Sequence, residues 1–588
     1  MTLKRRNSLP VLCCALGLAV QAPGFEPVAA KHGIVVSAEP QASDVGLEIL
    51  EAGGNAVDAA VAVGFALAVT HPYAGNIGGG GFMLVRMATG EAGEAIVVDY
   101  REEAPAAASR IMYLDAKGDL APEASVVGAR AVGVPGTVAG LALVEEKYGK
   151  LGLARALAPA IRLAEQGFPV SYALSQSLQG GQALLSRFDG SRRIFLRNGK
   201  LYEPGEIFKQ PELAHTLRLI AQGGPDAFYR GAVAKAIAAT MEKYGGLITL
   251  GDLEQYQAKV RAPLEGRFRG FTVLTVPPPS SGGVALIEML NVLEPLDLGS
   301  PNSYQSIHVM AETMRRAYAD RAAYLGDADF VSVPVAGLTS PKYAAKLREE
   351  ILNSKPEAPV VAGGPAAWSE GAQTTHFSVV DADGNAVANT YTLNGAYGSG
   401  VTVEGAGFLL NDEMDDFASK PGAPNMFGLV QGEANAIQPR KRPLSSMTPT
   451  IVLGNNRDSG FGIRDSGNQS PNPEPRIPNP GLRLVLGSPG GGTIINTVLQ
   501  VVLNVLVFKM DVREAVTAPR FHHQWMPDEL LVEDWGFSAD TLERLKEAGY
   551  KVNARGGIGE CQAIAIDPET RWRFGAADPR GDGKAVGY

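Results

Sequence analysis

The chain has few of the residues and patterns that mark several protein classes. Its 588 residues include three cysteines, and two of them, Cys13 and Cys14, lie in an apolar stretch near the N-terminus. Only Cys561 belongs to the rest of the chain, so we expect no internal disulfide and a fold held by packing. The net charge of −9 provides no basic surface for nucleic acid.

Signatures of metal and serine catalysis are also missing. His522 and His523 are adjacent, so on a strand they would face opposite sides, and no cysteine pair or HExxH motif completes a zinc site. No GxSxG motif indicates an α/β-hydrolase nucleophile. The glycine-rich loop Gly75–Gly81 precedes a strand and lacks a following Lys-Ser/Thr pair, which favours close backbone packing over phosphate binding. We therefore expect no metal ion and no cofactor.

The N-terminus has the pattern of an export signal. Basic residues at positions 4–6 precede the apolar run Leu9–Val20, which has the length of a signal-peptide core and is too short to span a bilayer. Small residues offer a cleavage site after Ala22 or after Ala30, and the second is favoured because Pro23 would directly follow the first cut. We predict a signal peptide at 1–30, a periplasmic or secreted mature protein and no stable membrane anchor.

Helical and strand patterns are interspersed along the rest of the chain, which indicates an α/β or α+β fold. The pattern at 56–69 is apolar on nearly all sides and predicts a buried helix capped by Asn55. The stretch 455–481, rich in Asn, Asp, Gly, Ser and Pro, predicts a surface insertion. Further helical patterns cover 43–52, 137–167, 209–242, 284–294, 303–324, 493–508 and 538–548, and strand patterns cover 82–85, 95–100, 271–276, 482–486, 561–566 and 572–575.

The segment that begins at Thr374 predicts a β-hairpin. Alternating residues lead from Thr374 into a turn signal at 382–384, and a second strand pattern covers 386–394. A three-residue loop would place Thr374 opposite Thr392 on the same face, whereas a two-residue loop would shift the register by one and separate them. In the first register, Thr392 can donate a hydrogen bond to the Thr374 hydroxyl oxygen.

The residues before Thr374 have the composition of a loop. Positions 353–373 are rich in Pro, Gly, Ala and Glu, so a loop meets a strand whose first residue is threonine. Cleavage between Gln373 and Thr374 would give Thr374 a free α-amine with a pKa of about 7.7–8.0, which can accept the hydroxyl proton near neutral pH. In the uncut chain this nitrogen is an amide and not a base, so we predict that cleavage of this bond activates the protein.

Other polar groups lie next to predicted strands and helices. Arg101 ends a strand pattern, where spacing alone favours a solvated charge or a surface ion pair. Acidic residues cluster at 412–416, after a short apolar strand. Ser445 and Ser446 have no histidine nearby in the sequence, which favours hydroxyl donors to a substrate over a nucleophile pair. Gly487–Gly492 leads into a helix, and backbone N–H groups at such a helix start are natural donors to an oxyanion.

Together these segments resemble the γ-glutamyltranspeptidases, members of the N-terminal-nucleophile hydrolase superfamily, over about residues 32–588. The resemblance implies an α+β fold, a four-layer αββα sandwich, made as a precursor that cuts itself into a large subunit (31–373) and a small catalytic subunit (374–588). It rests on five motifs: Thr374–Asp381 (TTHFSVVD), Tyr391–Asn394 (YTLN), Met414–Phe417 (MDDF), Pro443–Met447 (PLSSM) and Gly487–Gly491 (GSPGG).

The resemblance also implies a role for each candidate site residue. A zwitterionic γ-glutamyl head group suits such a site, because a cationic fork binds its carboxylate and acceptors bind its ammonium. The implied roles are the nucleophile of self-cleavage and catalysis (Thr374), its support (Thr392), the oxyanion hole (Gly490, Gly491), the α-carboxylate site (Arg101, Ser445, Ser446) and the α-amino site (Asn394, Glu413, Asp416).

The implied activity is γ-glutamyl transfer and hydrolysis. Thr374 would attack the γ-amide of glutathione or a related donor, and the resulting ester would pass to water or to the amine of an amino acid or peptide. The expected partners are these donors and acceptors and, after cleavage, the two fragments of the chain as a heterodimer.

Two features depart from the family pattern. Residues 421–442 resemble the lid loop of bacterial members, but Phe427 stands where a tyrosine is common. Phenylalanine keeps the ring but cannot donate a hydrogen bond toward Asn394, so we expect a less firmly held lid and more hydrolysis relative to transfer. The second departure is the predicted insertion at 455–481, for which the sequence indicates no role.

Two alternative functions stay open. A cephalosporin acylase of the same superfamily would take glutaryl donors, and Asp416 argues against it because a glutaryl group has no ammonium. A processed but inactive exported binding protein is disfavoured by the full set of catalytic residues. Donor turnover and fragment splitting on a denaturing gel would separate these functions.

Overall fold

The structure is a computed structural model that describes residues 26–88, 93–197, 199–353, 374–454 and 481–588. Most of the predicted signal peptide, Gln373 and positions 455–480 of the predicted insertion lie outside the described residues. Val28–Ala30 forms an edge strand, which a cut after Ala30 would remove and a cut after Ala22 would keep.

The described residues form nineteen strands, most of them short. In chain order they are β1 (Val28–Ala30), β2 (Ile34–Ser37), β3 (Gly80–Met87), β4 (Glu94–Asp99), β5 (Phe168–Pro169), β6 (Ile207–Phe208), β7 (Lys259–Arg261), β8 (Leu264–Phe268), β9 (Phe271–Thr275), β10 (Thr374–Val380), β11 (Ala386–Thr392), β12 (Thr450–Gly454), β13 (Gly481–Gly487), β14 (Phe521–His522), β15 (Leu530–Glu533), β16 (Val552–Arg555), β17 (Gln562–Ile566), β18 (Arg573–Ala577) and β19 (Lys584–Gly587).

Eighteen helices are found in the same part of the chain. They are α1 (Pro40–Glu51), α2 (Ala56–Thr70), α3 (Thr137–Tyr148), α4 (Leu153–Gln166), α5 (Tyr172–Gly180), α6 (Gln182–Leu185), α7 (Asp189–Phe195), α8 (Pro211–Gly223), α9 (Pro225–Tyr229), α10 (Ala232–Tyr244), α11 (Leu250–Gln255), α12 (Gly282–Leu293), α13 (Tyr304–Tyr324), α14 (Val335–Leu338), α15 (Pro341–Asn353), α16 (Ile494–Leu506), α17 (Val512–Thr517) and α18 (Ala539–Glu547).

Two seven-stranded antiparallel sheets form the centre of the molecule. The first has the order β1-β18-β17-β13-β12-β9-β8, and the second has the order β19-β2-β10-β11-β3-β4-β7. Alternate residues of each strand face opposite sides of its sheet. In β2, Ile34 and Val36 therefore join the core between the sheets, while Val35 packs against helices.

Helices cover the outer face of each sheet. The helices α1 to α4 and α8 to α10 pack on the second sheet, and α12, α13, α16, α17 and α18 pack on the first. The layers are therefore helix, sheet, sheet and helix, which confirms the αββα sandwich.

Local sequence patterns predict the main elements well. All fifteen residues of α2 are buried, and Asn55 caps the helix together with Asp58, as expected. The glycine-rich loop packs closely on its neighbours, because a Cβ atom at Gly78 or Gly79 would lie within 2.1 Å of a backbone oxygen. Close packing, the function expected for this loop, is thus confirmed.

Candidate functional site

Thr374 lies at the head of β10, directly opposite Thr392 in β11. Asp381 N–H donates to the Asn385 carbonyl at 3.1 Å, which closes a three-residue loop between them. The last loop residue, Gly384, has a φ of +85°, which glycine adopts readily. The three-residue register is therefore confirmed, and the two threonine side chains lie on the same face.

The hydroxyl groups of these two threonines are in contact. Thr374 donates to Thr392 Oγ1 at 3.3 Å, and Thr392 Oγ1 also accepts the Asn394 N–H at 2.8 Å. The expected contact is present, but the donor in the uncut chain is Thr374, the reverse of the expectation. The backbone bond from Asn394 fixes the Thr392 oxygen and so fixes the position that Thr374 faces.

The glycine-rich loop supports the same end of the hairpin. Asn76 Nδ2 donates to the Thr392 carbonyl at 2.9 Å, and Asn76 Oδ1 accepts the Gly79 N–H at 2.9 Å. Neighbouring β2 pairs with β10 only from Phe377 onward, so it does not cover the backbone of Thr374. The threonine therefore lies at an open strand end that is held rigidly from one side.

Arg101 is fully buried, so the surface position that spacing favoured is wrong. Its guanidinium pairs with Glu413 through Nη1 and with Asp416 through Nη2 at 2.5 Å, and Nε donates to the Pro443 carbonyl at 3.2 Å. Burial opposes the charge, but the neighbouring carboxylates Glu413 and Asp416 raise the pKa of Arg101 above its ordinary value. Arg101 therefore stays cationic inside the protein.

The two carboxylates that pair directly with Arg101 lie on a short 3₁₀ turn, Glu413–Asp416, and Glu102 lies beside them. Burial raises the pKa of Glu413 well above its ordinary value, and burial raises the pKa of Glu102 to about 7 although Arg101 lowers it. Asp416 keeps slight exposure and accepts a hydrogen bond from Asn425 Nδ2 at 3.0 Å. Asp416 is thus a fixed carboxylate at the edge of a buried cluster.

The glycines predicted as oxyanion donors lie just before α16. Gly490 has a φ of +137° and Gly491 a φ of +53°, and Gly491 opens the 3₁₀ turn Gly491–Thr493. The first N–H groups of such a turn lack partners within it, and neither glycine N–H donates to another group in the described part of the chain. These two N–H groups can therefore bind an anion beside the positive end of the α16 dipole.

Ser445, Ser446 and Phe427 line the same small cavity as Thr374 and Arg101. Ser445 Oγ accepts the Met447 N–H at 3.1 Å. The ring of Phe427 packs against Gly491, where an added Cβ would come within 2.8 Å of its Cδ1 atom. Asn394 Nδ2 donates to the Met426 sulfur at 3.5 Å, so Met426 contacts Asn394 from the predicted lid.

A small cavity of about 20 Å³ joins these groups, enough for about one water molecule. Gly490 lies next to Gly491 but is not part of the wall. The predicted site residues that line it are Arg101, Thr374, Thr392, Asn394, Glu413, Asp416, Phe427, Ser445, Ser446 and Gly491.

The histidines have structural partners instead of a catalytic arrangement. His376, in the TTHF motif, contacts the Thr390 hydroxyl through Nδ1 at 2.8 Å and the Ser378 hydroxyl through Nε2 at 3.1 Å. Burial lowers the pKa of His376 and of His522 to about 3, so both are neutral. Within the described ranges, no three His, Cys, Asp or Glu side chains are grouped as a metal site.

Helix α13 supplies two polar side chains that sequence reasoning missed. Tyr318 donates to the Gly492 carbonyl beside the predicted oxyanion loop. Three residues later, Arg321 Nη2 donates to Ser446 Oγ at 3.2 Å. The only indication in the sequence was that Tyr318 and Arg321 lie three residues apart, on one face of a predicted helix. An ordinary buried helix shows the same pattern.

Comparison with known proteins identifies the family. The model of the gamma-glutamyltranspeptidase family matches residues 42–462 and 477–588. The chain belongs to this family. The unmatched positions 463–476 lie within the stretch predicted to be an insertion.

Family relatives cover nearly the whole chain. The glutathione hydrolase proenzyme of Escherichia coli (strain K12) is 47% identical, with 96% of this chain and 93% of that protein aligned. The glutathione hydrolase proenzyme of Pseudomonas sp. (strain A14) is 45% identical, with 98% of each protein aligned. The crystal structure of cephalosporin acylase from Bacillus halodurans has a TM-score of 0.81 and 27% identity, with 100% of this chain and 99% of that one covered.

Proposed function

We propose that this family member is a γ-glutamyltransferase and glutathione hydrolase that becomes active by cutting itself between Gln373 and Thr374. The observation that carries the proposal is the placement of Thr374, paired with Thr392, at a cavity lined by Arg101 and Asp416. The site combines a nucleophile with one buried cation and fixed carboxylates. Relatives at 45–47% identity that are named glutathione hydrolase proenzymes support both the reaction and the precursor.

The reaction proceeds through an ester of Thr374. The free α-amine accepts the hydroxyl proton as Oγ1 attacks the γ-carbonyl carbon of the donor. The N–H groups of Gly490 and Gly491 stabilise the oxyanion. When the C–N bond breaks, the amine that leaves (cysteinylglycine, if glutathione is the donor) takes the proton. Water or an acceptor amine then attacks the ester and frees the Thr374 hydroxyl.

The charged groups recognise the donor's head group. Arg101 binds the α-carboxylate with Ser445 and Ser446, and Asp416 and Glu413 bind the α-ammonium together with Asn394. In the uncut chain Arg101 pairs with these same two carboxylates. Binding therefore exchanges one set of ion pairs for another, and a donor that lacks either charge leaves a buried group unpaired.

A glutaryl acylase is the second candidate, because a cephalosporin acylase shares the fold over the whole chain. A glutaryl donor has no ammonium for Asp416 to bind, which makes it the poorer fit. Glutaryl and γ-glutamyl anilides differ only in this group. A preference for the glutaryl anilide would replace the proposed function with the acylase.

Export and assembly extend the proposal. A signal peptide at 1–30 would send the precursor to the periplasm or out of the cell, and no helix of the described residues is long and apolar enough to cross a membrane. After the cut, the large fragment (31–373) and the small fragment (374–588) stay together as a heterodimer, with the stretch 455–481 as an insertion in the small one. N-terminal sequencing of the large fragment decides between cleavage after Ala22 and after Ala30.

The decisive experiment combines fragment sequencing with a glutathione assay on the same sample. The small fragment should begin at Thr374, and the sample should release glutamate from glutathione. Thr374→Ala should stay uncut and lose turnover by about 10⁴-fold or more, because the nucleophile is gone. Thr375→Ala is the matched control, since its buried hydroxyl has no hydrogen-bond partner among the described residues.

The outcomes are distinct. The control variant should be cut and should turn over glutathione, although its stability can fall. A Thr374→Ala variant that is still cut and still hydrolyses a γ-glutamyl anilide would refute the proposed nucleophile.

A further inference from the structure

Arg321 is a buried arginine without a carboxylate partner among the described residues. It belongs to α13 and is 2% exposed. Its Nε donates to Ser281 Oγ at 2.9 Å and its Nη2 to Ser446 Oγ at 3.2 Å, while Nη1 has no hydrogen-bond partner in the described ranges. No ion pair joins Arg321 to a carboxylate in that part of the chain.

Two other buried arginines, Arg442 and Arg520, are paired with acids, whereas Arg86 and Arg573 donate to backbone carbonyls. Arg442 Nη1 lies 2.5 Å from Asp99, and Arg520 Nη2 lies 2.5 Å from Asp578. Burial lowers the pKa of Arg321, since nothing beside it compensates the cost of desolvation in full. An uncompensated buried cation next to a cavity is the arrangement expected where an anionic ligand completes the pairing.

Ser446 connects Arg321 to the cavity. Its oxygen accepts the Arg321 N–H, so its own hydrogen must point to another acceptor. That hydrogen is donated to no other group in the described structure, and Ser446 lines the cavity together with Arg101. The hydroxyl is thus prepared to donate to an acceptor that enters the cavity.

We propose that Arg321 is a positioning residue that orients the Ser446 hydroxyl toward the α-carboxylate of the γ-glutamyl group and adds its charge to that of Arg101. This inference rests on the proposed function, because it assigns Ser446 to that carboxylate. Two cations then stand on one side of the head group. The second cation, Arg321, favours substrates that carry an α-carboxylate without competing for Glu413 or Asp416.

The test compares two inhibitors that differ in this carboxylate alone. L-Glutamate and 4-aminobutyrate share the chain and the ammonium, and only glutamate has the α-carboxylate. Both are measured as competitive inhibitors of γ-glutamyl anilide hydrolysis by the processed enzyme. Arg321→Gln should raise the inhibition constant of glutamate about tenfold, the expected size for a hydrogen bond to a charged group. The constant of 4-aminobutyrate and the value of kcat should stay unchanged.

Two further variants test the connection through Ser446. Because Arg321 acts partly through this hydroxyl, the combined effect of Arg321→Gln and Ser446→Ala on glutamate should be clearly smaller than the sum of the two single effects. Arg321→Lys keeps the charge and should recover more of the affinity when Ser446 is present than in the Ser446→Ala background. Arg316→Gln is the matched control, because Arg316 is buried on the same helix and pairs with Glu312 at 2.6 Å.

The possible results separate this inference from the proposed function. Equal weakening of both inhibitors by Arg321→Gln, or additive effects with Ser446→Ala, would overturn the inference. If Arg321→Gln is not processed, Arg321→Lys takes its place. Its effects on the two inhibition constants, alone and combined with Ser446→Ala, are then judged in the same way. A wild-type protein that is neither cut nor active on the anilide would instead contradict the proposed function.

Discussion

Arg101 has more acidic neighbours than one guanidinium can neutralise. Glu413 and Asp416 pair with it directly, and Glu102 lies 3.6 Å from Nη1. Burial raises the pKa of Glu413 and of Glu102, which partly offsets the stabilisation of their charged forms by Arg101. A zwitterionic head group brings equal and opposite charges, so it can enter the cluster without changing the net charge of the site.

Gly491 occupies a position where the structure leaves no room for a side chain. Alanine at this position would require a positive φ and would lie 2.8 Å from the Phe427 ring. Either the N–H or the ring must move, so we expect Gly491→Ala to lower kcat about 100-fold, as for the loss of an oxyanion donor. Steady-state kinetics on a γ-glutamyl anilide measures this.

Gly405 provides the control for that prediction. It has a φ of +77° and no neighbouring atom within 4 Å of an added Cβ. Gly405→Ala therefore carries similar backbone strain away from the site, and its kcat should equal that of the wild type. Equal losses in the two variants would show that strain, and not the position of the loop, is responsible.

Some residues of the site were predictable from sequence and others were not. The pairing of Thr374 with Thr392, eighteen residues apart, follows from a turn signal that lies between them. The burial of Arg101 depends on Glu413 and Asp416, which are 312 and 315 residues away. Spacing carries no information about such distant partners, so only the family resemblance indicated the role of Arg101.

At the scale of elements, the predicted lid segment 421–442 contacts Asp416 through Asn425, and two neighbouring side chains of the segment reach Gly491 and Asn394. Phe427 packs on Gly491, and the Met426 sulfur accepts a hydrogen bond from Asn394 at 3.5 Å. A sulfur acceptor is weak, so the lid contact with Asn394 is weak as well. The sequence predicted the loss of a hydroxyl at Phe427, whereas the contact made by Met426 became visible only in the structure.

We expect Phe427→Tyr to shift the enzyme from hydrolysis toward transfer. A hydroxyl that reaches Asn394 would hold the lid more firmly and exclude water from the ester. One hydrogen bond should change the ratio of transfer to hydrolysis roughly twofold to tenfold. The ratio is measured from the two products at a fixed acceptor concentration.

Met426→Leu is the companion variant, since it keeps the bulk and removes the sulfur acceptor. It should move the same ratio toward hydrolysis. An unchanged ratio in Phe427→Tyr would argue against the lid as the factor that controls partition.

The elements themselves followed local patterns closely. The helical pattern at 303–324 corresponds to α13 (Tyr304–Tyr324), and the strand pattern at 482–486 corresponds to β13 (Gly481–Gly487). The order of strands in the sheets could not be predicted from local patterns, because pairs such as β1 with β18 join opposite ends of the chain. Short strands such as β5 and β14, two residues each, are too brief to show a period.

At the scale of the whole molecule, both sheets contain strands from both sides of the proposed cut. β2 precedes the cut and lies between β19 and β10, which both follow it. The strand pairs that join the two fragments are β9–β12, β2–β10, β2–β19 and β3–β11, with β1–β18 in addition if the signal peptide is cut after Ala22. The fragments are therefore neighbours within one folded unit, not two domains in contact.

We expect the two fragments to stay together until both sheets unfold. The processed protein should elute as a single species in size-exclusion chromatography, with both fragments visible on a denaturing gel. In increasing urea, separation of the fragments should coincide with loss of far-ultraviolet circular dichroism, because no pair of strands can part alone. Elution of one fragment from a sample with native circular dichroism would contradict this.

The position of β2 also has a genetic consequence. A strand inserted between two strands of the other fragment cannot be exchanged for the same strand of another molecule without unfolding both. In a cell that makes the wild-type chain and the Thr374→Ala chain together, each wild-type molecule keeps its own two fragments, and the uncut variant has no fragment to exchange. The inactive allele would then be recessive. No hybrid molecules form, so the variant chain cannot inactivate the wild-type protein.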